Sequence, residues 1–284
     1  MKNLRLCPES HKNFRHNTDI GQNFLRDRTA AAWMAERACL SENSRVLEIG
    51  PGDGVLTKEI LKTPCARIDA VELDTRLSEY LEPLSADGRL SLHWGDALRF
   101  EYSSLSEPPD CVIANLPYHI TTPLLWTLLE QLGKATRYML LMTQREAAVR
   151  IASGAGLRES CPLGVTLAAM SERSVVRHVP RGAFYPVPNV DSSVVEIIFT
   201  GEKARMRELA RDRAWRRILS GSFALRRKTL VNNWAAAFHM PKDDAVSLLG
   251  EIGLGIRARA EELSMENWLA LHKSGIAAGM KIRL

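Results

Sequence analysis

The sequence predicts an α/β protein: a doubly wound, mostly parallel sheet with helices on both faces, followed by a small all-helical C-terminal domain. Three observations predict it. Short runs of β-branched and aliphatic residues alternate with helix-prone stretches, the pattern of successive βαβ units. The first such run turns through Gly50-Pro51-Gly52-Asp53-Gly54 into a helix. Beyond residue 199 the strand-like runs stop and basic residues crowd the chain.

The elements follow in order. Residues 1–20 are polar and read as an N-terminal arm. Residues 29–39, TAAAWMAERAC, are alanine-rich and favour a helix. Residues 44–49, SRVLEI, read as a short buried strand, and 55–61 as the helix after the glycine turn. Further strands are expected at 67–73, 90–94, 111–114 and 138–142, then as a pair at 174–178 and 193–199, with helices between most of them. The expected organisation is an arm at 1–20, a ligand-binding catalytic domain at 21–200 and a helical domain at 201–284.

Bulk properties narrow the class. A chain of 284 residues suits one large domain with a smaller one, and 45% hydrophobic with 25% charged residues is ordinary for a globular protein. The net charge of +5 is compatible with a polyanionic partner but does not require one. Cys7, Cys39, Cys65, Cys111 and Cys161 are widely spaced, odd in number and form no CxxC pair. A disulfide framework and a metal site are therefore not expected, and a reducing cytoplasm fits. No stretch approaches the roughly 18 apolar residues of a membrane span, and the first residues lack an apolar signal core.

A strand, a glycine-rich turn and a helix form a nucleotide-cradling arrangement. The spacing here is GxGxG, preceded by Glu48, and Val55 stands where a dinucleotide fingerprint wants its third glycine. Glu48 and Asp53 are poorly suited to a pyrophosphate. They suit an uncharged or cationic ligand such as S-adenosylmethionine. Glu72 ends the second strand, where a carboxylate can accept both ribose hydroxyls. Asp96 ends the third and can accept from an adenine amino group.

Asn115-Leu116-Pro117-Tyr118 follows the fourth strand. The exocyclic nitrogen of adenine is a weak nucleophile because its lone pair is delocalised into the ring. The Asn115 side-chain oxygen and the Leu116 carbonyl can each accept one of its hydrogens and turn the lone pair toward an incoming methyl group. Pro117 stiffens the turn, and Tyr118 offers a face for a flipped-out base. No strong base is required, since the nitrogen becomes acidic only after it is methylated. Phe184, in Phe184-Tyr185-Pro186-Val187-Pro188, can clamp the base from the side opposite Tyr118.

With these motifs the chain resembles the KsgA/Dim1 family of ribosomal RNA adenine dimethyltransferases, relatives of the Erm resistance methyltransferases. The resemblance runs from about Asp19 to Ser264. Gly21-Gln22-Asn23-Phe24-Leu25 is similar to the family motif that closes over the cofactor. The resemblance implies a Rossmann-like class I methyltransferase sheet and cofactor contacts at Asn23, Leu25, Gly50, Glu72, Asp96 and Asn115. The stretches 184–193, 223–230 and 259–264 are similar to the housekeeping rather than the resistance pattern. The implied reaction places four methyl groups on two adjacent adenines near the 3′ end of small-subunit ribosomal RNA, late in 30S assembly, with the enzyme acting as a monomer. This chain departs from the family at His119, where Asn is common, at Asn189, where Lys is frequent, and in a less basic stretch at 16–20.

Ten Lys and Arg residues between Lys203 and Lys228 form the remaining feature. They read as a phosphate-binding surface, with Arg226, Arg227 and Lys228 as candidate RNA contacts and with some arginines expected to pair with Glu208 or Asp212. Three other readings compete: an Erm-type enzyme on large-subunit RNA, a non-catalytic assembly factor, and a DNA adenine methyltransferase.

Overall fold

The computed structural model describes residues 22–277. The expected arm at 1–20, Gly21 and Cys7 lie outside the described residues. The chain starts with β1 (Phe24–Leu25) and α1 (Arg28–Arg37), then β2 (Arg45–Ile49), α2 (Val55–Leu61), β3 (Arg67–Glu72), the short α3 (Ser78–Leu81) and β4 (Leu90–Trp94). There follow β5 (Cys111–Asn115), α4 (Thr121–Gln131), β6 (Tyr138–Gln144), α5 (Arg145–Ala152), α6 (Pro162–Met170), β7 (Glu172–Val179), β8 (Phe184–Tyr185) and β9 (Ser192–Ile198). After β9 the described residues form only helices: α7 (Arg213–Ser222), α8 (Leu230–Phe238), α9 (Lys242–Glu251), α10 (Met265–Ala277) and short 3₁₀ turns.

Seven strands form one sheet in the order β4-β3-β2-β5-β6-β9-β7. The pairs from β4 through β6 are parallel, whereas β9 runs antiparallel to both β6 and β7. The strand order reverses between β2 and β5. In an open α/β sheet, that switch point leaves a crevice beyond the carboxyl ends of the strands.

Alternation along the central strands divides two apolar layers. Leu47, Ile49, Val112 and Ala114 face α4, α5 and α6. Val46, Cys111 and Ile113 face α1 and α2, packing with Ala30, Met34, Leu56 and Ile60. Local chemistry sets the helix starts. Asp27 caps α1 by accepting from the backbone N–H groups of Thr29 and Ala30. Gly54 begins α2 from the left-handed region at φ 79°. Pro162 occupies the first turn of α6.

The strands at 67–73, 90–94, 111–114 and 138–142 form within one or two residues of the expected bounds, as does the antiparallel pair. The sequence reading missed a second, two-stranded ribbon in which β1 pairs with β8, Leu25 opposite Phe184. The apolar layer does not end at residue 200. Trp215, Leu219, Trp234 and Trp268 belong to the same buried cluster as the α4 side of the sheet. Trp215 is fully buried and donates its indole N–H to Thr166 of α6 at 2.9 Å.

Candidate functional site

At the switch point lies a cavity of about 330 Å³. Its wall brings together Asn23 and Leu25 from the N-terminal segment, Gly50 from the turn, Glu72 and Asp96 from the ends of β3 and β4, Asn115, Leu116 and Tyr118 from the end of β5, and Phe184 from β8. Every residue singled out in the sequence for a cofactor or a base therefore lines one cavity. Arg226, Arg227 and Lys228 do not. They are exposed in the turn between α7 and α8.

The glycine turn is held open by its own backbone. Gly50, Gly52 and Gly54 all have positive φ, at 64°, 60° and 79°. Glu72, nearly buried, accepts from the backbone N–H of Gly52 at 3.0 Å and of Asp74 at 2.9 Å. It thus braces the turn as well as facing the cavity, and burial pushes its carboxyl above the usual range. A Cβ at Gly52 would lie 2.9 Å from the Phe24 ring, in a backbone region that L-residues disfavour. Gly52→Ala is expected to cost about 2 kcal/mol or more of stability, measured by urea denaturation. The same change at Gly182, which has open space around it, should be near neutral.

The N-terminal segment closes over this turn through paired side chains. Arg26 is ion-paired with Asp53 of the turn, and Gln22 donates to Asp74 at 2.7 Å. The ribbon then links the segment to Phe184, which is buried.

Asn115 pairs with Met142 in the sheet, and its side chain takes part in none of the described hydrogen bonds. The next residue, Leu116, donates its N–H to the Met142 carbonyl at 2.9 Å. The turn is thereby fastened to β6 while the Asn115 side chain stays available on the cavity wall. The Tyr118 hydroxyl meets the Ser192 hydroxyl at 2.8 Å, which fixes the ring from its far end. His119, the departure beside it, is exposed at the cavity rim.

Glu48 is the residue the sequence reading underrated. It is 1% exposed, sits among apolar neighbours on β2, and neither carboxylate oxygen has a hydrogen-bond partner. Burial raises its pKa from 4.5 to about 8; the Thr57 hydroxyl opposes the shift without standing in hydrogen-bond geometry, and the Glu72 charge reinforces it. A buried polar group without a partner is costly unless a ligand supplies one. Because Glu48 also lines the cavity, the site suits a cation.

The basic segment needs correction as a uniform phosphate surface. Arg207 is buried, lies 4.1 Å from the Phe199 ring centroid and donates to the Thr136 carbonyl; burial lowers its pKa to about 10. Arg211 donates to the Glu130 carbonyl at 2.7 Å, and Arg216 stacks over Trp126 at 4.4 Å while paired with Glu130. Lys203 pairs with Glu172 at 2.6 Å. These cations hold the C-terminal helices to the sheet, a use that a run of charges does not reveal. Glu208 and Asp212, expected to pair within the run, instead face Lys134 at 3.8 Å and His272 at 3.0 Å.

Comparison with known proteins places this geometry. The model of the family described as "Ribosomal RNA adenine dimethylase" matches residues 13–275. A protein of Rubrobacter xylanophilus called ribosomal RNA small subunit methyltransferase A is 38% identical over 89% of this chain and 93% of its own. One of the same name from Geobacter metallireducens is 35% identical over 92% of this chain and 96% of its own. Among solved structures, the dimethyladenosine transferase from Plasmodium falciparum shares the fold with a TM-score of 0.75 at 22% identity, covering 90% of this chain and 98% of that one. The 23S rRNA methyltransferase ErmE matches with a TM-score of 0.63 at 26% identity, covering 88% and 98%.

Proposed function

The chain belongs to the ribosomal RNA adenine dimethylase family, and from that premise we propose that it uses S-adenosylmethionine to dimethylate, at N6, two adjacent adenosines near the 3′ end of small-subunit (16S) ribosomal RNA, late in 30S assembly. The observation that carries the reading is that Asn115, Leu116, Tyr118 and Phe184 share one cavity with the glycine turn, Glu72 and Asp96. A base and a nucleoside cofactor would thus meet at a single crevice.

The residues present fit such a cofactor. Glu48 offers an unpartnered buried carboxylate to an ammonium group, Glu72 has lone pairs left for ribose hydroxyls, and Asp96 can accept from the adenine amino group. Asn23, Leu25 and Gly50 complete the enclosure. Bound S-adenosylmethionine supplies an electrophilic methyl group. The chain's own residues do the rest. The Asn115 oxygen and the Leu116 carbonyl hold the two hydrogens of the target amine, Tyr118 and Phe184 hold the ring, and the crevice excludes water around them. Rate comes from position and fixed dipoles rather than from a strong base.

We read 21–200 as the catalytic domain and 201–284 as a small RNA-binding domain, with Arg226, Arg227 and Lys228 as phosphate contacts. The enzyme is read as a cytoplasmic monomer. The names of the 35–38% identical relatives favour small-subunit RNA over the large-subunit target of ErmE. Purified protein with labelled cofactor should methylate adenines in immature 30S particles, detected as N6,N6-dimethyladenosine by mass spectrometry. Methylation confined to protein-free large-subunit RNA, or to duplex DNA, would overturn the proposed substrate.

A further inference from the structure

Glu48 and Asp53, the two acids at the glycine turn, both line the cavity but are used differently. The Glu48 carboxylate has no hydrogen-bond partner, whereas the Asp53 carboxylate is paired with Arg26. The pair is close to buried, with the Arg26 side chain 13% and the Asp53 side chain 6% exposed. Arg26 itself is not part of the cavity wall. A cation outside the cavity therefore neutralises one acid of its wall.

The segment from Phe24 to Arg26 straddles the turn. Phe24 packs so closely on Gly52 that a Cβ there would lie 2.9 Å from its ring. Two residues on, Arg26 reaches Asp53, and its guanidinium lies 5.6 Å from the Phe24 ring centroid. Asp27 then caps α1, whose Ala30, Ala31 and Met34 are buried in the layer beneath the sheet. The segment is thus anchored at its α1 end. Ahead of Phe24, Gln22 donates to Asp74, a carboxylate that Arg76 also engages.

The backbone of Arg26 carries the link to the base clamp. Its N–H donates to the Ala183 carbonyl at 2.7 Å, and the Asp27 N–H donates to the same oxygen at 3.2 Å. Ala183 directly precedes Phe184, and Leu25 stands opposite Phe184 in the ribbon. Arg26 therefore holds the glycine turn with its side chain and the Phe184 strand with its backbone. A buried ion pair adds little net stability, because desolvation offsets the attraction, but it can fix one alignment over its neighbours. An apolar pair would fill the same space without fixing that alignment.

We propose that Arg26 is a positioning residue for methyl transfer: its pair with Asp53 and its bond to Ala183 hold the cofactor turn and the Phe184 ring in one register. The methyl donor and the target amine must meet inside the cavity, and a displacement of about 1 Å can slow such a step on the order of 100-fold. Arg26 sets their alignment from behind the wall, acting through Asp53 on one side and Phe184 on the other. The proposal rests on the reading that the cavity takes S-adenosylmethionine and an adenine base, and adds to it a residue that touches neither.

The test compares Arg26→Met with the parent, both as the full chain. Two quantities are read: single-turnover methyl transfer to immature 30S particles at saturating cofactor, and calorimetric affinity for S-adenosylhomocysteine. Arg26→Met should bind S-adenosylhomocysteine about tenfold more weakly and transfer methyl about tenfold more slowly. Arg26→Lys keeps the charge and should return both to within about threefold of the parent. A double-mutant cycle with Phe184→Ala separates positioning from a general loss of packing. If Arg26 acts through Phe184, Arg26→Met should slow the Phe184→Ala protein by less than about twofold. If Arg26→Met does not fold, Asp53→Asn breaks the same ion pair with a side chain of equal size and replaces it in every comparison. Equal slowing in both backgrounds, or parental affinity and rate in the folded variant, overturns the inference while leaving the enzyme reading intact. A parent protein that neither binds S-adenosylhomocysteine nor methylates the particles overturns both.

Discussion

Replacing Asn115 by Ala should reduce methyl transfer about 100- to 1,000-fold while leaving RNA retention at the wild-type level. The size follows from the role. The adenine amine arrives as a weak nucleophile, and its lone pair must be turned out of the ring plane before it can react. Removing one preorganised polar group aimed at a reacting centre costs this much in comparable sites. The Asn115 side chain makes none of the described hydrogen bonds within the protein, so its loss should leave the fold intact. The Leu116 N–H bond to Met142 would still fasten the turn to β6. Single-turnover transfer of labelled methyl to immature 30S particles measures the chemical step apart from binding. Unchanged turnover would remove Asn115 from its assigned role.

The second large effect concerns Glu48 and pH. Its folded pKa, about 8, lies above the ordinary 4.5. In the cofactor-free protein the folded state therefore keeps a proton that the unfolded chain releases. Below pH 4.5 both states are protonated and stability is full. Between 4.5 and 8 the unfolded chain ionises alone, so stability falls as pH rises, by on the order of 4 kcal/mol in total from this one group. Glu48→Gln should flatten that decline, making the variant more stable than the parent at pH 8. The same variant should bind S-adenosylhomocysteine at least about tenfold more weakly, because it loses a charge for the cofactor ammonium. Thermal melts across pH 5–9, with and without that ligand, check both parts. Parallel stability profiles for the two proteins would show that Glu48 is not the titrating group.

Several parts of the site were legible in the sequence for a physical reason. In a βαβ chain the ends of successive parallel strands are brought to one edge. Glu72, Asp96 and Asn115, each ending a strand-like run, could therefore be placed together without coordinates. The ribbon between Phe24–Leu25 and Phe184–Tyr185 could not, because two-residue strands carry no periodicity and their pairing joins distant parts of the chain. Glu48 was visible as an acid before a glycine turn. Its burial and its lack of a partner depend on Thr57 and on the layers above and below β2. Arg207 shows the opposite failure. Its charge suggested the surface, whereas Phe199 and the Thr136 carbonyl draw it inside. Composition located the change from strands to helices near residue 200 but could not reveal that the apolar layer runs on through Trp215.

That continuous layer has a consequence for how the molecule comes apart. A chain cut near residue 200 would leave the α4 side of the sheet without its cover and expose Trp215, Leu219, Trp234 and Trp268, now buried. Neither fragment should survive alone as a soluble piece. Heat or denaturant should melt the described residues in one transition, with Trp fluorescence and far-ultraviolet circular dichroism changing together. Amide hydrogens in α7 and in β5 should then exchange with the same free energy of opening, as in a single cooperative unit.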